Sequence, residues 1–317
     1  MEGMKKSAAS VAPCSTANLG PGYDVFGLAL DALEDKVTIT RSEKNGPKIT
    51  ISMLDDRDRI PAEPASNSAG RVVVKMAREL DIKDSLSVAI KKGVPPGYGV
   101  GSSAASAAAA AIAMKALYNL EIDMDTLVEY AAEGEIASAG TKHYDNVSAS
   151  LLGGFVISSI AGGVRSFIRL KPPRDLVMVV AIPLSMKVPA RKTEVARSVL
   201  PKQVALKDVV HNVSSASTIV AGFALGDISM IARGIDDVIV EPARKGLIPG
   251  YDAVKQQALD AGALAVTISG AGPSLIAFLK SNRHSKKVGE GMKAGFAKAG
   301  IECSVLACRS SRGAHLV

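Results

Sequence analysis

Ser102 and Ser103 stand directly behind Pro95-Pro96-Gly97-Tyr98-Gly99-Val100-Gly101 and open an alanine-rich run, Ala104 to Ala111. The prolines cannot donate to a ladder and end whatever precedes them. The glycines give a backbone that turns tightly and lets a ligand approach. The alanines are a helix by propensity. A glycine-rich loop feeding a helix start suits an anion, because free N–H groups and the positive end of the helix dipole point at it. The chemistry expected here is phosphate binding. No Gly-Lys-Ser/Thr follows, so the loop is not a Walker A motif, and Gly97-x-Gly99-x-Gly101 lacks the dinucleotide spacing. Ser103, in the first helical turn, can ligate Mg²⁺ beside the phosphates.

Other residues offer partners for such a loop. Glu135 falls seven residues after Val128, on the apolar face of a predicted helix that Asp125 caps and that reaches Ala139. A carboxylate on a buried face is costly unless it is ion-paired or metal-bound. If Ser103 binds Mg²⁺, Glu135 is its natural second ligand. Past that helix, Thr141-Lys142-His143-Tyr144-Asp145-Asn146 is densely polar, and His143, Asp145 and Asn146 can hold a hydroxyl or an ammonium. Asn18 and Asp24 flank Gly20-Pro21-Gly22, a sharp turn on which two polar side chains can converge. Arg191, Thr193 and Arg197 crowd a short polar stretch before Pro201, and arginine suits carboxylate recognition. Arg244 and Lys245 lie in an expected Pro/Gly-bounded loop from Glu241 to Tyr251. Ser269-Gly270-Ala271-Gly272-Pro273-Ser274 is a second glycine-rich loop. Spacing does not say whether the two loops meet.

The elements that would position these groups are read from periodicity. Val37–Thr40 and Ile49–Ile51 are predicted strands joined by a turn at Asn45-Gly46-Pro47, and Asp55 to Arg59 is a charged excursion. Residues 67–80 have helical spacing with Asn67 and Ser68 as caps; Asn67 can also face a nucleotide base. Leu86, Val88 and Ile90 alternate as a strand that delivers the chain into the loop at Pro95. Composition shifts near Ile160 to Leu170, which places a domain boundary at 165/166. Beyond it the pattern predicts a buried strand at 175–183, helices at 208–224 and 228–240, strands at 263–268 and 275–279, a helix at 284–299 and a closing strand at 302–307.

The bulk numbers exclude several classes. The 317 residues are 47% hydrophobic and 22% charged, ordinary for a folded soluble protein. Aromatics are 4%, Trp is absent, and the net charge of +7 forms no basic block, which argues against nucleic acid. Three cysteines without a CxxC exclude a disulfide framework or zinc site and fit a reducing cytoplasm. No stretch of 18 apolar residues suggests a membrane partner.

Taken in order, the signatures resemble the GHMP small-molecule kinases, and within them the branch that acts on homoserine. Ala12-Pro13-Cys14-Ser15-Thr16-Ala17-Asn18-Leu19-Gly20-Pro21-Gly22-Tyr23-Asp24 is similar to that branch's N-terminal motif. Pro95 to Ala105 resembles the superfamily's ATP loop, which usually ends Gly-Leu-Gly-Ser-Ser-Ala; Val100 replaces the leucine. Ser269 to Ser274 matches the third motif. His143-Tyr144-Asp145-Asn146 and Lys192-Thr193-Glu194-Val195-Ala196-Arg197 point to the same branch.

The resemblance implies a two-domain α+β fold. Residues 1–165 would resemble the second domain of ribosomal protein S5, and 166–317 a ferredoxin-like domain, with a cleft between them. ATP would lie along Pro95, Pro96, Gly97, Tyr98, Gly99, Val100, Gly101, Ser102, Ser103 and Ala104, with Mg²⁺ on Ser103 and Glu135. L-Homoserine would be gripped by Asn18, Asp24 and His143, with Arg197 and Arg244 on its carboxylate. Asn146 would touch the accepting hydroxyl and Thr193 the reacting phosphate. Relatives such as mevalonate kinase use an Asp as base near the position of Asn146. An amide cannot take that proton, so catalysis here would rest on positioning and charge stabilisation, with Asp145 the reserve base. O-Phospho-L-homoserine, on the way to threonine, would be the product. Another alcohol (shikimate, mevalonate) and a non-catalytic ligand sensor are the alternatives. Ser103 with Glu135 argues against the sensor. A homodimer is compatible with the resemblance.

Overall fold

In the computed structural model, residues 5–42, 46–54, 60–189 and 192–317 are described. The excursion at 55–59, Asn45 of the expected turn, and Arg191 lie outside the described residues. The first half runs β1 (Ser7–Ala17), β2 (Phe26–Ser42), β3 (Ile49–Met53), α1 (Ser68–Glu79), β4 (Ser85–Lys91), α2 (Ser102–Leu117), α3 (Met124–Ala139), α4 (Asp145–Leu152), β5 (Phe155–Ala161) and β6 (Val164–Leu170). The second runs β7 (Val177–Ile182), α5 (Lys192–Ser198), α6 (Leu206–Leu225), α7 (Ile228–Gly234), α8 (Val240–Arg244), α9 (Tyr251–Asp260), β8 (Ala265–Ile268), β9 (Leu275–Leu279), α10 (Ser285–Ala297) and β10 (Ser304–Cys308). A two-residue β11 (His315–Leu316) then returns to the first sheet.

That sheet has the order β11-β1-β2-β4-β3, and β5 joins the other end of β2 and carries β6. The long β2 serves both arms: Phe26 to Leu28 pair with β5, and Lys36 to Ser42 with β4. The register between β1 and β2 shifts at Pro13/Cys14. β6 spans residues 165 and 166 and pairs with β5 along its whole length. The second sheet is antiparallel in the order β10-β7-β9-β8. Within that sheet the order is fourth, first, third, second, the βαββαβ arrangement of ferredoxin-like folds.

Helices α1, α2 and α3 cover one face of the first sheet around Val37, Ile39, Val88 and Ile90. The alanines of α2 are buried on every side, as an all-apolar helix must be. Their small side chains also set the site. A Cβ on Gly134 of α3 would stand 2.6 Å from the Ala107 Cβ, so α2 and α3 nearly touch there. β7 is buried throughout because both faces are covered: α9 and α10 pack on one through Val254, Met292 and Phe296, and the first half packs on the other. Across that seam Phe155 of β5 stacks on Phe223 of α6, centroids 4.0 Å apart. Such a pair contributes about 0.5–1.5 kcal/mol beyond its buried area.

Several elements differ from expectation. Asp123, not Asp125, caps α3: its Oδ1 accepts from the Thr126 N–H at 2.9 Å. The helix expected at 228–240 stops at Gly234, and the Glu241–Tyr251 stretch expected as a loop begins in α8. Asp237 explains the break, because its carboxylate accepts from the N–H groups of Ile239, Val240 and Glu241 and starts a new helix there. The polar stretch at Thr193 is helical, and the hexamer at His143 runs straight into α4.

Candidate active site

The glycine-rich loop lies between β4 and α2, and Gly97, Gly99 and Gly101 all have positive φ. At Gly99 the two halves approach closely. A Cβ there would lie 2.4 Å from the Ser269 carbonyl oxygen and 2.5 Å from that of Gly272. The two glycine-rich loops therefore meet backbone to backbone. Ser269 Oγ donates to the Gly99 carbonyl at 2.8 Å, and the Ser274 N–H to the Tyr98 carbonyl at 3.2 Å. The loop is braced from below by fully buried Asp35. Its Oδ1 accepts from the N–H groups of Gly93 and Val94, and its Oδ2 from Ser106 Oγ and the Lys92 ammonium.

A cleft of about 1030 Å³ opens between the halves. At the end expected for the nucleotide stand Asn67, Pro96, Gly97, Gly99, Gly101, Ser102, Ser103 and Glu135. Asn67 both caps α1, accepting from the Gly70 N–H at 3.0 Å, and faces the cleft. The expectation that all of 95–104 face the nucleotide narrows. Pro95, Tyr98, Val100 and Ala104 do not line the cleft; the Tyr98 hydroxyl donates to the Leu184 carbonyl at 3.0 Å, and Val100 and Ala104 are core. The close approach of α3 brings Glu135 to Ser103, whose hydroxyl donates to Oε1 at 2.5 Å. Burial pushes the Glu135 carboxyl up to about 7. A buried carboxylate beside a hydroxyl is a donor pair for a hard divalent cation. Among the described residues no group of three His, Cys, Asp or Glu could hold a metal.

At the other end are Asn18, Tyr23, Asp24, His143, Asp145, Asn146, Arg197 and Arg244. The Asp24 N–H donates to Asn18 Oδ1 at 3.0 Å, and Asn18 Nδ2 donates to the Gly270 carbonyl at 2.8 Å, which ties the Gly-Pro-Gly turn to the second loop. Arg197 NH2 donates to both Asp24 oxygens, at 2.8 and 2.7 Å. Buried Arg244 donates to the carbonyls of Ala196 (3.0 Å) and Gly270 (3.3 Å). Both guanidinium groups lie over the Tyr23 ring, within 5.4 and 5.1 Å of its centroid. Ser15 Oγ donates to Asn146 Oδ1 at 2.9 Å and fixes the amide. Burial, with the nearby Asp24 charge, raises the Asp145 carboxyl to about 6. His143, 4.0 Å from Glu135, is held below its ordinary value by burial and then by Arg197.

Thr193 and Lys192 also line the cleft, and the Lys192 charge interacts with both Glu135 and Arg244. Sequence reasoning gave Lys192, Tyr23, Lys92 and Asp35 no role. Asp35 is in phase with Val37 and Ile39, and Lys92 with Leu86, Val88 and Ile90, so strand parity could have found the buried pair. No spacing marks Lys192.

Comparison with known proteins agrees with this geometry. Residues 67–154 match the family model of the GHMP kinases N terminal domain, and 219–298 that of GHMP kinases C terminal. The homoserine kinase of Thermoplasma volcanium is 39% identical over 88% of this chain and 86% of that protein. That of Saccharolobus solfataricus is 38% identical over 94% of both. The crystal structure of homoserine kinase from Cytophaga hutchinsonii superposes with a TM-score of 0.91 at 36% identity, covering 100% of this chain and 99% of the other. An L. major mevalonate kinase, 16% identical with a TM-score of 0.68 over 98% of this chain and 97% of its own, shares the fold. Near-complete coverage by such relatives, together with the meeting loops and the Ser103–Glu135 pair, establishes that the chain belongs to the homoserine kinases of the GHMP kinase family.

Proposed function

We propose that this chain transfers the terminal phosphoryl group of ATP to the side-chain hydroxyl of L-homoserine, giving O-phospho-L-homoserine for threonine synthesis. The observation that carries the reading is the charge layout of the amino-acid end. Asp24 and Arg197 neutralise each other there, with Arg244 close by across the Tyr23 ring. A zwitterion fits that layout, its carboxylate taking the arginines and its ammonium taking Asp24. Mevalonate or shikimate, carboxylates without an ammonium, would leave Asp24 facing no positive partner of their own.

Asn18 shapes the turn that presents Asp24, and His143, kept neutral by its surroundings, offers a hydrogen bond beside the substrate. Asn146, locked by Ser15, holds the accepting hydroxyl. The start of α2 receives the phosphates, and Thr193 touches the group in transit. Ser103 and Glu135 would hold Mg²⁺, which offsets phosphate charge when bound, and phosphates and water would complete its ligands. No side chain need remove the alcohol proton before transfer, because the loose transition state of phosphoryl transfer lets it pass to a phosphoryl oxygen. Three free cysteines support a reducing, cytoplasmic setting. No helix among the described residues is long and apolar enough to cross a membrane. A coupled ADP-release assay over L-homoserine, mevalonate and shikimate tests the reading. Turnover confined to L-homoserine is expected, and turnover of mevalonate alone overturns it.

A further inference from the structure

The nucleotide loop carries no lysine of its own, yet phosphoryl transfer needs a cation near the migrating group. Four described cations line the cleft: Lys92, Lys192, Arg197 and Arg244. Lys92 is committed beneath the loop, to Asp35, the Ser102 carbonyl and Ser106 Oγ, which together take all three of its N–H bonds. Arg197 is held by Asp24, and Arg244 by two backbone carbonyls. Lys192 differs. It begins α5, and its ammonium donates to the Gly272 carbonyl, the atom packed against Gly99. That is its one hydrogen bond among the described residues, so two N–H bonds face the cleft. Its charge is felt by Glu135 of the nucleotide end, and it in turn feels Arg244 of the amino-acid end. It sits where a group must pass from one end to the other.

Resting on the phosphotransfer reading above, we propose that Lys192 is a catalytic residue whose ammonium binds the terminal phosphoryl group of ATP during its transfer. The homoserine oxygen bonds to phosphorus as the bond to the bridging oxygen of ADP breaks. The electron pair of that bond leaves with ADP, the hydroxyl proton goes to a phosphoryl oxygen, and Lys192 keeps its proton throughout. Burial and the Arg244 charge outweigh the Glu135 carboxylate and hold the free ammonium down to about 7, so an incoming phosphate adds the countercharge that opposes them. Supplying the cation from the second half also means that the phosphoryl group is gripped only when both loops are in place.

The test separates the terminal phosphate from the rest of the nucleotide. Binding of ADP and of a non-hydrolysable β,γ-methylene ATP analogue, each with Mg²⁺, is measured by calorimetry for the wild type, Lys192→Met and Lys192→Arg. Loss of one charge-assisted contact should weaken the analogue about 10- to 100-fold in Lys192→Met and leave ADP nearly unchanged. Lys192→Arg should recover part of that loss. Retained ADP binding shows that the variant is folded; should Lys192→Met not fold, Lys192→Gln carries the same comparison. Equal weakening of both nucleotides, or of neither, overturns the assignment. Wild-type failure to phosphorylate homoserine, with the analogue effect intact, would overturn the substrate reading and leave Lys192 on the phosphate.

Discussion

The two ends of the cleft are built from different material. The end proposed for the nucleotide is mostly backbone: positive-φ glycines, the start of α2 and two loops meeting backbone to backbone, with Glu135 as the carboxylate lining it. The amino-acid end is side chains, an ion pair and a second arginine over an aromatic ring. Backbone recognition fixes a shape that every nucleoside triphosphate shares. Side-chain recognition fixes a charge pattern, and on the proposed function that pattern would select one alcohol among many. A change at one end should therefore damage a different kinetic constant from a change at the other.

The largest expected effect comes from Gly99→Ala. The new methyl would meet the Ser269 and Gly272 carbonyls at 2.4 and 2.5 Å, at a φ of +78° that alanine resists. Forcing the loops apart by even an ångström should cost about 100-fold or more in turnover. Near-normal nucleotide affinity in this variant would break the contrast at its backbone end.

Arg197→Ala and Arg244→Ala sharpen the other end. Each should raise KM for homoserine about 10- to 100-fold while KM for ATP stays close to wild type. Arg244→Ala should be the worse of the two, because it also frees the Ala196 carbonyl and removes one of the two donors on the Gly270 carbonyl, cutting the tie between α5 and the second loop. A matching rise in KM for ATP would mean that the two ends do not act separately.

A last effect is on stability rather than on a kinetic constant. The Glu135 carboxyl is raised from the ordinary 4.5 to about 7. Between those values the folded protein binds more protons than the unfolded chain, so this group makes stability fall as pH rises through that window. Above it the whole cost of burying the charge is present; below 4.5 there is none. Glu135→Gln should therefore stabilise the ligand-free protein by on the order of 3 kcal/mol near pH 8 and change it little near pH 4. Thermal unfolding at the two pH values reads the difference, and equal shifts at both would deny that the nucleotide end stores this charge. The same variant should lose turnover, since stability and function oppose each other at such a site.

What could be read from the chain beforehand follows the same division. The loop at Pro95, the alanine helix and the buried parity of β7 are local signals, set by glycine, alanine and alternation. Glu135 was legible because seven residues bring it back to the face of Val128. The amino-acid end drew on residues from β2's preceding turn, α4, α5 and α8, and the short helices among them escaped notice. α4 has eight residues and no side-chain cap, and it is fixed by packing, with Gly27 of β2 leaving room for the Asp145 carbonyl. α8 depends on Asp237, whose capping role no apolar period reveals. The direction of Lys192 is set by a carbonyl 80 residues away, which periodicity cannot see.

The last strand has a consequence for how the molecule comes to be. β11 pairs with β1 at Ser10 and Val11, Ser310 bridges to Leu30, and Gly153 lies against the Arg312 and Gly313 backbone. A chain emerging from the ribosome makes β1 long before β11. Until then, β1 carries an open strand edge at Ser10 and Val11. Contacts this distant in sequence are slow to form, and unpaired edges invite other chains. The first sheet is thus held unfinished while the second half is made, and the step that seals it waits on a segment far along the chain.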